Sequence, residues 1–141
     1  MKDKSNIERI IKYATKITRY MAGIKTFDDF ASDDEKVDAV ILNLEQIGET
    51  AKKLSDAGKE LYPIIQWPSI IGLRNVISHD YEGIKLNIIY DIATKNIPDL
   101  LMMLQSNQNN VLSNKYKSLC VFSILDYILA RPVWSRRDMT P

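Results

Sequence analysis

The sequence predicts an all-α protein, an up-and-down bundle of four core helices followed by a C-terminal extension that could add a further helix. Three observations favour this fold class. Apolar residues recur at helical spacing in four stretches, and no stretch alternates apolar and polar residues as a strand would. Gly and Pro number only five each. The 141 residues, 45% hydrophobic and 26% charged, have the size and composition of one globular domain.

The first predicted helix begins near Ser5 and ends near Gly23. Ser5 and Glu8 have the spacing of a capping box, in which each side chain bonds a free backbone amide at the start of the helix. One face is apolar and consists of Ile7, Ile10, Ile11, Ala14, Ile17 and Met21. The opposite face is basic and consists of Arg9, Lys12, Lys16 and Arg19.

The second predicted helix is the longest and follows an acidic connector at residues 26–34. Ser32 and Glu35 have the spacing of another capping box. The apolar stripe consists of Val37, Val40, Ile41, Leu44, Ile47, Ala51 and Leu54. Gly48 lies inside this stripe, where a missing side chain would let another helix come close. Gly58 is well placed to cap the C-terminus of this helix.

The third and fourth helices are predicted from proline positions and apolar spacing. Pro63 blocks continuation of the second helix, and Pro68 suits the first turn of a third helix that ends near His79. Asn87 could cap the fourth helix. Pro98 should kink that fourth helix, because its ring removes one backbone hydrogen bond.

Residues 1–104 are therefore predicted to form the bundle, and residues 105–141 a linker and tail of unknown role. Residues 105–110 are polar, whereas residues 119–130 are strongly apolar. The apolar segment could cover the bundle as an extra helix, form an oligomer contact or extend from the fold. Residues 1–104 carry 14 Lys/Arg and 16 Asp/Glu, and residues 105–141 carry 5 and 2. Neither part is basic enough to indicate nucleic-acid binding by charge alone.

Several classes of protein are excluded by composition. A single Cys, Cys120, cannot form an intramolecular disulfide, and with a single His, His79, the usual zinc sites are not available. No apolar run approaches the ~20 residues that a membrane-spanning helix needs. The N-terminus shows no signal-peptide core. We therefore expect a cytoplasmic protein with no membrane contact and no metal site.

The end of the third helix carries the residues best suited to chemistry. Arg74, Asn75, His79 and Tyr81 offer a phosphate clamp, an orienting amide, a proton carrier and a phenol. A His and an Arg suffice in principle for metal-free cleavage of RNA, but one His cannot comfortably act as both base and acid. A dimer that joins two such motifs could supply both. A structural or merely exposed His79 remains the alternative from spacing alone.

The spacing Arg74-x4-His79-x-Tyr81 resembles the signature of HepT-type toxins, which belong to the HEPN (higher eukaryotes and prokaryotes nucleotide-binding) superfamily. The surroundings are similar as well, over roughly residues 5–104. They include Asn-Leu-Glu-Gln-Ile-Gly-Glu-Thr-Ala at residues 43–51, Trp-Pro-Ser-Ile-Ile-Gly-Leu-Arg-Asn at residues 67–75 and Ile-Pro-Asp-Leu-Leu at residues 97–101.

The resemblance implies a homodimer in which two motifs line one cleft and cleave RNA without a metal or cofactor. It implies that His79 is the acid/base residue, that Arg74 binds the phosphate and that Asn75 orients the site. Glu49 could hold Arg74 in place or be an ordinary exposed charge. The basic face (Arg9, Lys12, Lys16 and Arg19) could contact RNA phosphates or be a solvated helix surface.

The resemblance also implies a partner. Such toxins form type VII-like toxin–antitoxin pairs with a minimal, MntA-like nucleotidyltransferase, which silences the toxin by adding AMP to the motif tyrosine, here Tyr81. The partner would also form a hetero-oligomer with the toxin. Two other hypotheses remain open at this point. One is a non-catalytic module that binds nucleotide, RNA or a partner enzyme, and the other is a structural oligomer whose motif only supports the helix end.

Overall fold

The computed structural model describes residues 2–106, which form seven α-helices and one π turn. The helices are α1 (Lys2–Met21), α2 (Phe27–Ala31), α3 (Asp34–Lys52), α4 (Asp56–Glu60), α5 (Trp67–His79), α6 (Leu86–Asp91) and α7 (Ile97–Ser106). The π turn, Ile92–Asn96, joins α6 to α7. Residues 2–106 contain no β-strand, so the predicted all-α fold class is confirmed. The apolar segment at residues 119–130 lies outside the described residues.

Four long helical units form the bundle, because α6, the π turn and α7 are continuous along the chain. Helix α1 packs against α3 and α7, and α3 packs against α5. The apolar stripes predicted for the first two helices face the core, where every predicted residue is buried except the half-buried Ile11. The short helix α2 lies in the predicted acidic connector, and α4 lies where the sequence predicts the end of the second helix. No helix in this part of the chain has the length and apolar character needed to cross a membrane.

The predicted starts of the first two helices are wrong. Helix α1 begins at Lys2, so Ser5 lies inside the helix and does not cap it. Helix α3 is capped by Asp33, whose carboxylate accepts a hydrogen bond from the backbone N–H of Lys36 at 3.1 Å. Ser32 is instead the last, C-terminal cap of α2, and so it is not available to begin α3.

The capping box in this region belongs to α2. The hydroxyl of Thr26 accepts a hydrogen bond from the N–H of Asp29 at 3.1 Å, and the carboxylate of Asp29 accepts one from the N–H of Thr26 at 3.3 Å. This reciprocal pair begins a five-residue helix, and that helix places Phe30 in the core with no exposed surface. The acidic connector is therefore partly helical.

The predicted cap at Gly58 is also wrong. Helix α3 ends at Lys52, and Ser55 begins α4, so that Gly58 lies within α4. Asp3 at the start of α1 accepts hydrogen bonds from the backbone N–H of Ser55 at 2.9 Å and from its hydroxyl at 2.5 Å. These two bonds lower the pKa of Asp3 and attach the first turn of α1 to α4.

The fourth helical unit begins one residue before the predicted cap and is interrupted where Pro98 predicts a kink. Its first residue is Leu86, so Asn87 lies inside the helix. Pro98 has no N–H to donate to Thr94, and the turn before it widens until the N–H of Ile97 bonds the carbonyl of Ile92, five residues earlier. The predicted irregularity takes the form of this π turn.

Candidate active site

Gly48 lets α5 approach α3 closely, as the sequence predicts. A Cβ atom at Gly48 would lie 3.0 Å from Cγ of Arg74 and 3.1 Å from the carbonyl oxygen of Ile70, and it would overlap Cβ of Arg74. The side chain of Arg74 therefore leaves α5 directly against the backbone of α3. Any larger residue at position 48 would displace it.

Glu49, the next residue along α3, forms an ion pair with Arg74. The contact joins Nη2 of Arg74 to Oε1 of Glu49, and the two side chains are 26% and 31% exposed. Nη1 of Arg74 donates a hydrogen bond to Oδ1 of Asn75 at 3.1 Å. Each of these guanidinium nitrogens carries a second N–H, which a phosphate oxygen could accept. Glu49 thus contacts Arg74 and is not an isolated surface charge.

His79 is the last residue of α5, and its side chain is exposed. Among residues 2–106, no hydrogen bond or ion pair fixes its imidazole. Asp80 ends the helix, and its carboxylate accepts a hydrogen bond from the N–H of Gly83 at 2.9 Å. This turn fixes the backbone immediately after His79. Asn75 lies one helical turn before His79, on the neighbouring part of the helix surface, and is also exposed.

Tyr81 contacts α3 through its hydroxyl, which donates a hydrogen bond to Oδ1 of Asp38 at 2.7 Å. The tyrosine is 45% exposed. Burial of part of its ring and the adjacent carboxylate of Asp38 raise the pKa of Tyr81 to about 12, with a smaller contribution from Glu45. The phenol therefore stays protonated at neutral pH.

Three carboxylates on one face of α3 line the motif. Glu49 contacts Arg74, Oε1 of Glu45 accepts a 3.5 Å hydrogen bond from the hydroxyl of Ser78, and Asp38 contacts Tyr81. The order of these contacts shows that α3 and α5 run antiparallel. We call Asp38, Glu45 and Glu49 the acidic stripe.

The sequence alone does not predict that Asp38 and Glu45 line the motif. The signal that could have found them is the spacing of the acidic stripe. Its members are seven and four residues apart, and these separations return close to the same face of an α-helix. Without a structure, that pattern is also typical of an ordinary solvated helix surface.

The basic face lies on α1, a different helix from the one that carries the motif. Arg9, Lys12 and Arg19 are exposed, and Lys16 is half-buried. Within residues 2–106, no hydrogen bond or ion pair joins these four side chains to the motif. Their contact with RNA therefore stays a prediction. In the same part of the chain, no three His, Cys, Asp or Glu side chains form a group that could hold a metal ion.

Comparison with known proteins identifies the family. A family model described as "Ribonuclease HepT-like" matches residues 10–106. A protein named "Probable ribonuclease HepT" from Thermococcus cleftensis is 34% identical over 74 residues, which is 52% of this chain and 67% of that protein. No solved structure shows a significant match to the chain.

Two further relatives extend the comparison. A protein named "Putative RNase" from Caldanaerobacter subterraneus subsp. tengcongensis is 32% identical over 94 residues, or 67% of this chain and 83% of that protein. Another protein of that name, from Methanocaldococcus jannaschii, is 39% identical over 74 residues, or 52% of this chain, and the match spans only 61% of its length. The family model covers well over half of the chain and includes the whole Arg-x4-His-x-Tyr motif. The chain therefore belongs to the HepT-like ribonuclease family.

Proposed function

We propose that this protein is a metal-independent endoribonuclease in which Arg74 and His79 act on the RNA backbone. The observation that carries the proposal is the arrangement of Arg74 and His79. Gly48 and Glu49 fix Arg74 against α3, and the helix that carries Arg74 ends in the exposed His79. A fixed cation for a phosphate and an accessible imidazole are the two groups that this chemistry requires.

In the proposed reaction, a neutral His79 takes the proton of a ribose 2′-hydroxyl. The 2′-oxygen attacks the adjacent phosphorus, and the bond from phosphorus to the 5′-oxygen breaks. The products are a 2′,3′-cyclic phosphate and a 5′-hydroxyl end, which needs a proton. Arg74 stabilises the negative charge that develops on the non-bridging oxygens.

Asn75 and Glu49 would act through Arg74. Asn75 accepts a hydrogen bond from Nη1, and Glu49 pairs with Nη2, so the guanidinium plane is held from two sides. The orienting role predicted for Asn75 would therefore apply to Arg74. Because the ion pair with Glu49 is about one-third exposed, an RNA phosphate can compete for the guanidinium.

The leaving 5′-oxygen needs an acid, and each chain has only one His. We therefore propose a homodimer in which the motifs of two protomers line one cleft. One His79 would act as the base and the other as the acid. In this arrangement the basic face of α1 would contact flanking phosphates.

The test compares wild type, His79→Ala and Arg74→Ala on a defined RNA in the presence of EDTA. General acid–base residues contribute about 10²- to 10⁴-fold, so His79→Ala should lose at least about 100-fold in rate. Wild-type products should carry cyclic phosphate ends. Circular dichroism must show that the variants remain folded. A pure, folded His79→Ala protein with wild-type activity would refute the proposal.

We further propose that the protein is the toxin of a toxin–antitoxin pair and that a minimal nucleotidyltransferase silences it by adding AMP to Tyr81. The exposed position of Tyr81, two residues after His79, supports this role. An attached AMP would add bulk and a negative phosphodiester beside the cleft and so repel an RNA backbone. The cytoplasm, where RNA is present, is the proposed compartment.

The modification is tested by intact mass. Wild-type protein incubated with ATP and the partner enzyme should gain one or more AMP units, and Tyr81→Phe should gain none. RNA cleavage by wild type should fall as AMP is incorporated. Incorporation at another residue would contradict the assignment of Tyr81.

A non-catalytic binding module is the second candidate, and one observation favours it. The acidic stripe places three carboxylates next to the motif, where they would repel the backbone of an RNA substrate. Tight binding of nucleotide or of a partner, with no cleavage of any RNA by wild type, would support this alternative.

A further inference from the structure

The contact between Tyr81 and Asp38 joins residues that are 43 positions apart in the chain. It is the only hydrogen bond of the Tyr81 hydroxyl within residues 2–106, and at 2.7 Å it has the length of a strong O–H···O bond to a carboxylate. Both residues are exposed, so an enzyme that approaches Tyr81 also reaches Asp38.

Attack by a phenol on a phosphorus atom requires that the phenol lose its proton. The environment of Tyr81 raises its pKa to about 12, so almost no phenolate exists at neutral pH. The phenol can then react at a useful rate only if a base takes the proton as the new bond forms. A carboxylate that already accepts this proton in a hydrogen bond has the geometry of such a base.

We propose that Asp38 is the catalytic base for nucleotidylation of Tyr81, an inference that rests on the proposed modification of this tyrosine. The phenolic oxygen forms a bond to the α-phosphorus of a nucleoside triphosphate held by the partner enzyme. The bond from the α-phosphorus to the bridging oxygen breaks, and pyrophosphate leaves with the electron pair. The phenolic proton moves to Oδ1 of Asp38. The modified protein itself would thus supply a catalytic group for the reaction that silences it.

The neighbouring groups do not offer the same geometry. Glu45 lies near Tyr81 and affects its pKa, but its carboxylate accepts the hydrogen bond of Ser78 and not that of Tyr81. No hydrogen bond within residues 2–106 joins the imidazole of His79 to the phenol. Glu45 therefore provides a matched control, since it is a second carboxylate on the same face of α3.

The experiment measures the rate of AMP incorporation by intact mass, with ATP and the partner nucleotidyltransferase at saturating concentrations. Asp38→Asn keeps an oxygen that can accept the hydrogen bond but cannot take the proton. We expect this variant to react at least about 100-fold more slowly than wild type. Asp38→Glu, which retains a carboxylate, should recover much of that loss, and Glu45→Gln should remain within about threefold of wild type.

Asp38→Ala removes both the base and the hydrogen-bond acceptor, whereas Asp38→Asn removes only the base. Comparing the two variants therefore distinguishes a base from a positioning residue. If Asp38→Asn reacts as fast as wild type, Asp38 is not the base, whether or not Asp38→Ala is slow. Equal losses in Asp38→Asn and Glu45→Gln would also overturn the proposal, because negative charge in general would then be responsible. Circular dichroism and co-purification with the partner enzyme check that each variant is folded and bound.

These outcomes differ from a failure of the proposed function. If wild-type protein gains no AMP at Tyr81, both the modification and the role of Asp38 are refuted. If wild type is modified and Asp38→Asn is modified at the same rate, the modification stands and only the role of Asp38 is refuted.

Discussion

At the scale of single residues, Gly48 determines where the arginine of the motif lies. Its hydrogen is the only side-chain substituent that fits between the backbone of α3 and the first carbons of Arg74. The following residue, Glu49, then binds the far end of the same side chain. Two consecutive residues of α3 thus fix both ends of Arg74.

Gly48→Ala should lower both stability and activity. The added methyl group overlaps Arg74, and overpacking of this kind costs about 1 to 3 kcal/mol. Higher helix propensity of alanine offsets up to about 1 kcal/mol of this cost. Urea unfolding should show a net loss of free energy of unfolding, and RNA cleavage should fall as Arg74 moves. Gly23→Ala is the control, because its Cβ would meet only Nζ of Lys36 at 3.9 Å. Equal effects of the two substitutions would contradict this explanation.

The raised pKa of Tyr81 predicts how the stability of the fold depends on pH. Its folded pKa of about 12 lies above the ordinary value of 10.0, so the protonated phenol stabilises the fold. This contribution is fully present below pH 10 and is lost as the pH rises from 10 toward 12. The tyrosinate absorbance of wild type minus that of Tyr81→Phe should therefore have a midpoint near pH 12. Asp38→Asn should lower that midpoint, and a wild-type midpoint near 10 would contradict the hydrogen bond.

At the scale of helices, apolar spacing predicts the middle of each helix but not the residues at which it begins and ends. The stripes of α1 and α3 are buried as predicted. The caps depend on local competition between neighbouring side chains and on contacts from distant parts of the chain. Ser55, for example, begins α4 and is bound by Asp3, 52 residues away. No local sequence window contains that contact, which explains why the sequence alone predicts a helix end at Gly58.

The cap of α3 gives a direct comparison between neighbouring residues. Asp33→Ala removes the acceptor for the N–H of Lys36 and should cost about 1 kcal/mol of stability. Ser32→Ala, at the residue that the sequence favoured, should cost less, because the Ser32 hydroxyl makes only an exposed 3.3 Å bond to the carbonyl of Asp29. Thermal melts of the two variants measure the difference. A larger loss for Ser32→Ala would mean that Asp33 is not the functional cap.

The candidate site is likewise predicted only in part from the sequence. Arg74, Asn75, His79 and Tyr81 were found because they are close together in sequence and match a family motif. Asp38 was not found, because only the packing of α3 against α5 brings it to Tyr81. The short motif therefore predicts the residues proposed to react, whereas Asp38 is found only when the packing of the helices is known.

At the scale of the whole molecule, the proposed mechanism requires two chains, because each chain has a single His. If both copies of His79 are needed in one cleft, a mixed dimer of wild type and His79→Ala should be inactive. When the two proteins are mixed and allowed to exchange protomers, the rate should follow the square of the wild-type fraction. An equal mixture should then retain about a quarter of the wild-type rate. Wild type diluted with an equal volume of buffer serves as the control. A rate of about one half in the equal mixture of wild type and His79→Ala would show that the protomers act independently.

The antiparallel contacts between the acidic stripe and the motif have an evolutionary consequence. Position 49 faces position 74, position 45 faces position 78 and position 38 faces position 81. A substitution on one helix changes the charge or the space that its counterpart meets, and so selection acts on the pair. When sequences of this family are aligned, these three pairs should covary. A copy that has lost Tyr81 should be free to lose the carboxylate at position 38 while keeping the one at position 49.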